Sequence, residues 1–582
     1  MTQLDWIVLV LTLAGIIIYG LYKSRTTKNL EGYFLSNRSM PWYLILLSIM
    51  GTQASAVTFL SAPGQAFTDG MRFVQYYFGL PIAMVILCIT FVPIFNKLKV
   101  FTAYEFLETR FDVKTRTFTS ALFLLSRGLS TGISIYAPSI ILSALFGWDI
   151  YWTNIVMGGL LIIYTVTGGA KAVAYTQQLQ LIIIFCGMFT AGYFIVHKLP
   201  EGVGFIDALK VSGASGKLNV ITTGFTEKGF EWKDRYNLIS GIIGGFFLAL
   251  SYFGTDQSQV GRYLTAKDTT ESRLGLLMNG LIKVPMQFMI LLIGALLFTF
   301  YQFKSGPVFF NSSVSKKVYQ TPYGDTLKKL EKDFDLASLH QQKLVTAYVV
   351  AQKSDNVTHT AMYKDSLALA NSHLNSIRSD YKTYLGKADS TIDTNDTNYI
   401  FLRFVIDTLP KGLVGLLVAI IFLAAWGSIA AALNSLASCT MIDFYCRFNS
   451  HRKEVIDNEP RQYRLSRWFT LGWGVFCIVV AQFSNRMGSL IEAVNVLGSL
   501  FYGVILGIFL VAFYIKRIGA NAVFWAAVLG EIVTISLFIL DKKGIIGFGF
   551  LWLNVAGALA VIVLSLLFQG RKSAQISLVN TN

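Results

Sequence analysis

Charge is what this sequence has least of. Lys, Arg, Asp and Glu together make up 14% of its 582 residues, against 54% hydrophobic, where soluble domains carry about a quarter charged residues. So little charge cannot solvate a globular surface, and a mean hydropathy of +0.54 excludes an ordinary soluble domain. Histidine and cysteine are scarce too. The five histidines (His197, His340, His359, His373 and His451) fall in loops or at the end of an apolar run. A membrane haem or metal enzyme needs His or Cys ligands facing one another inside a bundle, and that pattern is missing, so no enzyme is expected. The five cysteines (Cys88, Cys186, Cys439, Cys446 and Cys477) lie within apolar runs or beside their basic ends. That placement excludes an external disulfide framework.

What the chain does have is apolar length. A window of about 20 residues crosses roughly 30 Å of hydrocarbon. About thirteen such windows are expected, near 4–22, 41–63, 73–95, 117–145, 150–167, 175–197, 237–259, 274–303, 409–441, 468–484, 488–514, 520–540 and 546–569. The fold class is therefore an all-α polytopic membrane protein. An odd number of spans puts the termini on opposite sides. The loops 21–39, 96–116, 168–175, 261–273, 444–467, 514–519 and the tail hold about 23 Lys/Arg. The short loops 1–4, 64–72, 146–150, 485–487 and 541–545 hold about 4. The positive-inside rule makes the first set cytoplasmic, the N-terminus external and the C-terminus internal, in the cell membrane. Those loops also account for the net charge of +16, which faces anionic lipid rather than nucleic acid. The first run reads as a retained helix, since no small-residue cleavage site follows it.

The expected organisation is spans one to eight over 1–303, a polar insertion over 304–408, spans nine to thirteen over 409–569, and a cytoplasmic tail over 570–582. Within the insertion, apolar residues recur at helical spacing and predict two or three amphipathic helices on the outer face.

Polar residues inside spans are expensive and mark function. They are Thr52, Gln53, Ser55 and Thr58 in the second span, Arg127 in the fourth and Gln177, Gln178 and Gln180 in the sixth. The later spans add Asp256 and Gln257, Lys283, Ser428 and Asn434, and Glu492 and Asn495. Spread over many helices, they fit one hydrated axial cavity, as in a carrier or channel. Two of the runs are near-copies, GTQASAV at 51–57 and GTDQSQV at 254–260. Glycine and small polar residues interrupt a helix there, and the freed backbone groups are tolerable only where they line a cavity. Paired interruptions at matching places in two halves point to an inverted-repeat secondary transporter.

Four stretches, GTQASAVTFLSAPG, YTVTGGAKAVAYTQQLQ, SYFGTDQSQVGRYLTAKD and AAWGSIAAALNSLASCTMIDFY, together resemble the sodium:solute symporter family. The resemblance covers nearly all of the chain outside 304–408. It implies a LeuT-type fold of five-plus-five inverted repeats, with one extra N-terminal and two extra C-terminal helices. It further implies a coupling sodium ion, no organic cofactor and no obligate protein partner. Carried over to this sequence, the ion's ligands would be the carbonyls of Gly51, Ala54 and Ala424 and hydroxyls at positions 427 and 428. Ser428 keeps that pattern and Gly427 departs from it. Gln177 stands where the family often has an aspartate, which speaks against a second sodium site. Proton-coupled or uncoupled transport on the same fold is the alternative.

The same resemblance implies a solute site. Gln53, Ser55, Thr58, Tyr77, Arg127, Asp256, Lys283 and Asn495 are its candidate residues. Sugar-carrying members use an acid near the place of Tyr77, so that sugar geometry is disfavoured. Sialic-acid-carrying members hold a carboxylate with hydroxyls matched by Ser55 and Thr58 and an arginine matched by Arg127. A carboxylate-bearing solute is therefore favoured, with a neutral sugar or polyol as the alternative. A guanidinium gives a carboxylate two parallel hydrogen bonds, but Arg127 could equally pair with Glu492 or Asp256, and Lys283 with Asp256. A sensor or a channel on the same body is the reading from another class. No selectivity-filter repeat and no signalling domain after residue 569 supports either.

Overall fold

A computed structural model describes residues 2–24, 30–390, 392–449, 459–484 and 489–569. His451 and the expected tail at 570–582 lie outside the described residues. In chain order the main helices are α1 (Gln3–Ser24), α2 (Trp42–Gln53), α3 (Ala56–Asp69), α4 (Val113–Phe146) and α5 (Ile150–His197). Next come α6 (Gly245–Thr255), α7 (Gln257–Tyr263) and α8 (Thr269–Phe303). The insertion region contributes α9 (Gly324–Lys353), α10 (Val357–Ala388) and α11 (Thr397–Thr408). Five more follow: α12 (Leu413–Cys439), α13 (Glu459–Gln482), α14 (Leu490–Tyr514), α15 (Ala520–Lys542) and α16 (Phe550–Phe568).

Among the described residues ten helices are long and apolar enough to cross a membrane, and the pair α2 and α3, bent by 61°, makes an eleventh span. Two shorter apolar helices, Ile150–Val166 and Ser240–Thr255, occupy the remaining expected windows. One boundary differs from expectation. No separate loop interrupts 168–175, because helix runs on through α5. Yet Tyr164 and Thr176 share a 2.7 Å hydroxyl contact, whereas twelve residues of straight helix would separate them by about 18 Å. Helix α5 is therefore not one straight rod between Tyr164 and Thr176.

Helix starts are set by short acids. Asp112 accepts from Thr115 N at 2.8 Å, Asp149 from Tyr151 N at 2.9 Å and Asp268 from Glu271 N at 3.0 Å, each satisfying an amide the helix leaves open. Asp5 of α1 does this across helices. Its Oδ1 accepts Gly412 N at 2.6 Å and Gly415 N at 3.3 Å, pinning the first helix to the start of α12.

The insertion is more than surface decoration. α9 and α10 form a hairpin around Leu327, Phe334, Ile377, Tyr381 and Leu385, as the amphipathic spacing predicts. α11 instead packs on α3: Ser61 Oγ donates to Asn398 Oδ1 at 2.7 Å, and a methyl at Gly64 would overlap the Thr397 carbonyl. The two parts are latched by Asp396, which is fully buried. Its carboxylate accepts from Arg378 at 2.7 Å, Lys382 at 2.8 Å and Phe310 N at 2.9 Å. Burial opposes that charge, but the two cations outweigh it and hold the carboxyl below its ordinary value.

Candidate ion and solute site

The break between α2 and α3 redirects backbone hydrogen bonds in a specific way. A continuous helix would send Ser55 N to Gly51 O and Thr58 N to Ala54 O. Here Ser55 N donates to Gln53 O at 3.0 Å and Thr58 N to Ser55 O at 2.9 Å. The carbonyls of Gly51 and Ala54 are thereby released. On α12, Ser428 Oγ donates to Ala424 O at 3.0 Å and to Ala425 O at 3.1 Å. Its proton is spent on its own helix, so its lone pairs remain free to accept.

Gln177 of α5 ties this region together. Its Oε1 accepts from Ser48 Oγ at 2.8 Å, and its Nε2 donates to Thr52 Oγ1 at 3.2 Å and Gly427 O at 3.0 Å. One carboxamide so joins α2, α5 and α12. A methyl at Gly51 would lie 2.9 Å from Gln177 Cβ and Cγ, so glycine there is what admits the glutamine.

The second break, between α6 and α7, is closed by side chains. Asp256 caps α7 through Ser258 N at 2.7 Å and Ser258 Oγ at 2.5 Å, and accepts Tyr502 Oη at 2.7 Å. Tyr104 Oη donates to Thr255 O at 2.7 Å. Gln257 clamps the neighbouring segment, accepting from Ala103 N at 3.0 Å and donating to Phe101 O at 2.8 Å.

The alternatives for Arg127 now separate. Its Nη1 lies 3.8 Å from Asp256 Oδ2, while Glu492 pairs with Arg235 at one end of the bundle. The pairing of Lys283 with Asp256 is not formed. Lys283 is fully buried, its Nζ has no hydrogen-bond partner, and among the described residues no carboxylate pairs with it. It stands 5.8 Å from the centre of the Tyr77 ring. Asn279 and Gln287, one turn to either side on α8, are also fully buried, and Asn279 Oδ1 and both polar atoms of Gln287 lack partners.

Gln53 Oε1 is buried without a partner. Thr58 Oγ1 makes one long bond, 3.5 Å, to Gln53 O, and Ser55 begins α3 with no side-chain cap bond. Asn495 Oδ1 accepts from Tyr76 Oη at 3.1 Å. Arg127 lies 5.9 Å from the Tyr252 ring centre, and Tyr252 packs on Tyr502 at 5.8 Å. Asp256 has both oxygens engaged and is not a free group. Tyr252, Tyr502, Asn279 and Gln287 are not among the residues expected from the sequence. The spacing Asn279, Lys283, Gln287, four apart in an apolar span, was the signal that could have found the stripe.

Ionic latches close both ends. On the face carrying the insertion, Arg235 meets Glu492 and Arg72 meets Asp234 at 3.2 Å. On the opposite face Arg116 joins Asp443 at 2.7 Å and Glu108 at 2.8 Å, and Arg447 reaches Glu108 at 2.7 Å.

Comparison with known proteins agrees with this architecture. The sequence matches the Sodium:solute symporter family over residues 33–318 and 371–530. The match resumes within α10, so it reaches into the region expected to lie outside the resemblance. The chain is similar to the sodium/sialic acid symporter NanT of Aliivibrio fischeri, 24% identical over 97% of this chain and 92% of that protein. It is likewise 24% identical to the sodium/sialic acid symporter SiaT of Proteus mirabilis, over 95% of this chain and 92% of that one. A solved structure of a substrate-bound, outward-open Na+-coupled sialic acid symporter superposes over 98% of each chain with a TM-score of 0.73 at 21% identity, which shows the shared LeuT-like fold. The chain belongs to the sodium:solute symporter family: it is a multi-pass membrane carrier, not an enzyme, that couples sodium to the movement of a small solute.

Proposed function

We propose that the solute is a small hydroxylated carboxylate, carried with sodium by alternating access. The observation that carries this is Lys283. A fully buried ammonium with no acid to pair it among the described residues is costly to keep charged, and a carboxylate arriving with the solute would relieve that cost. Arg127 is already balanced by Asp256 at 3.8 Å, so it serves the cavity wall. The unpartnered amide of Gln287 and the unpartnered carboxamide oxygens of Gln53 and Asn279 supply a donor and acceptors for hydroxyls. The acid-carrying relatives support the same class.

Sodium would sit at the first break, held by the carbonyls of Gly51, Ala54 and Ala424 and by Ser428 Oγ, as a hard cation prefers oxygen ligands. Bound there it orders the junction of α2 and α3 against α12, which forms one side of the solute cavity. Ion and solute then raise each other's affinity by the same factor. The two ionic latches would open in turn. The N-terminus would be external, in keeping with the basic loops on the opposite side.

The test is a thermal-shift screen of purified protein in sodium or choline, across hydroxylated carboxylates, their amides and neutral polyols. The expected result is stabilisation by carboxylates only, larger in sodium, and lost in Lys283→Met while sodium alone still stabilises. Equal stabilisation by an acid and its amide would contradict the carboxylate reading.

A further inference from the structure

The family pattern calls for a hydroxyl at position 427, and this chain has glycine. The geometry shows why a larger residue is absent and what stands in its place. A Cβ built on Gly427 would lie 2.5 Å from Gln180 Oε1 and 3.2 Å from Gln177 Cγ. The volume a serine side chain would fill is thus occupied by the Gln180 carboxamide, with its oxygen foremost. Gln180 is 2% exposed, and its Nε2 is buried without a hydrogen-bond partner. Gln177, three residues earlier on the same helix, differs: its amide hydrogens are spent on Thr52 and on Gly427 O.

We propose that Gln180 Oε1 is a ligand of the coupling cation, supplying the oxygen that Gly427 lacks. An amide oxygen suits a hard cation as well as a hydroxyl does. It carries the larger dipole, which offsets in part the neutral Gln177. The two departures from the family pattern are then one arrangement: glycine at 427 exists because Gln180 fills its place. Gly427→Ser alone would force an overlap, whereas Gly427→Ser with Gln180→Ala would return the hydroxyl to a vacated volume.

This rests on sodium occupying the first break, and the experiment separates the two ideas. Melting temperature is followed against sodium chloride, with choline chloride holding ionic strength constant. The proteins are wild type, Gln180→Ala, Gln180→Met, Gly427→Ser, and the double variant Gln180→Ala/Gly427→Ser. Wild type should show saturable stabilisation. Gln180→Ala and Gln180→Met should raise the half-saturating sodium concentration about tenfold, the scale of one lost polar contact, and the double variant should recover to within about twofold of wild type. Gln180→Met keeps the volume without the oxygen, so it reads ligation even if truncation unfolds the protein. Half-saturation unchanged in Gln180→Met, or a double variant no better than Gln180→Ala, would overturn the assignment of Gln180 alone. Absence of any sodium-specific response in wild type would overturn the ion site itself, and this ligand with it.

Discussion

The two broken helices begin from heptapeptides identical at four of seven positions and end in opposite condition. At GTQASAV the interruption between α2 and α3 releases the carbonyls of Gly51 and Ala54. At GTDQSQV the interruption between α6 and α7 is filled: Tyr104 takes the Thr255 carbonyl, and Asp256 is engaged by Ser258, Tyr502 and Arg127. One acid makes much of the difference. A carboxylate at the second break can cap the following helix and balance a buried guanidinium, so that break needs no ligand from outside. The first break has glutamine and small residues at the matching places and is left with acceptors to offer. Irregular backbone at membrane depth must be satisfied somehow; the molecule uses its own side chains at the second break and leaves acceptors open at the first.

The comparison can be broken most severely at the filled break. Arg127→Met or Asp256→Asn removes half of a buried pair, and the stranded group should cost about 3–5 kcal/mol, seen in denaturation of the purified protein. Removing both charges together should recover much of that loss. Next in size is Ser428→Ala at the open break. It should raise half-saturating sodium about tenfold while leaving stability in choline unchanged, and an unaltered sodium response would remove Ser428 from the ion site. Tyr104→Phe strips one hydrogen bond from the filled break and should cost about 1 kcal/mol with no change in sodium dependence.

The smallest effect concerns Glu105, beside Tyr104 in the segment closing the filled break. Burial, only partly opposed by Arg116, pushes its carboxyl up to about 7. The folded state therefore holds this proton more tightly than the unfolded chain, and stability is lost as pH rises from the ordinary carboxylate range through about 7. Glu105→Gln should match wild type at acidic pH and exceed its melting temperature at pH values above that range. A wild-type melting temperature as high as the variant's in alkaline solution would place the carboxylate in a solvated site.

Much of this was legible in the sequence because it follows from local composition. Apolar windows and the positions of both interruptions are properties of short stretches, and glycine among small polar residues announces a break wherever it falls; the candidate ion ligands come instead from the family resemblance. What the sequence left open is contact between distant stretches. Arg127 had three partners on offer, and only the packing of α4 against α14, whose Tyr502 holds Asp256, selects that carboxylate. Gln257 and Asp256 are adjacent in the chain, yet one clamps a neighbouring segment and the other neutralises an arginine. α11 read as part of an outer insertion, but its fit against Gly64 and Ser61 makes it a wall of the broken helix. Gln180 was visible as a polar residue in a span, and its relation to Gly427 depends on an approach that no spacing rule encodes.

The central claim is that the first break takes the ion and the second does not. Hydrogen exchange measured with and without sodium, at constant ionic strength, tests it most directly. Sodium should slow exchange of amides around 51–59 and leave those around 254–263 unchanged. Protection appearing at 254–263 instead, or at neither break, would contradict it.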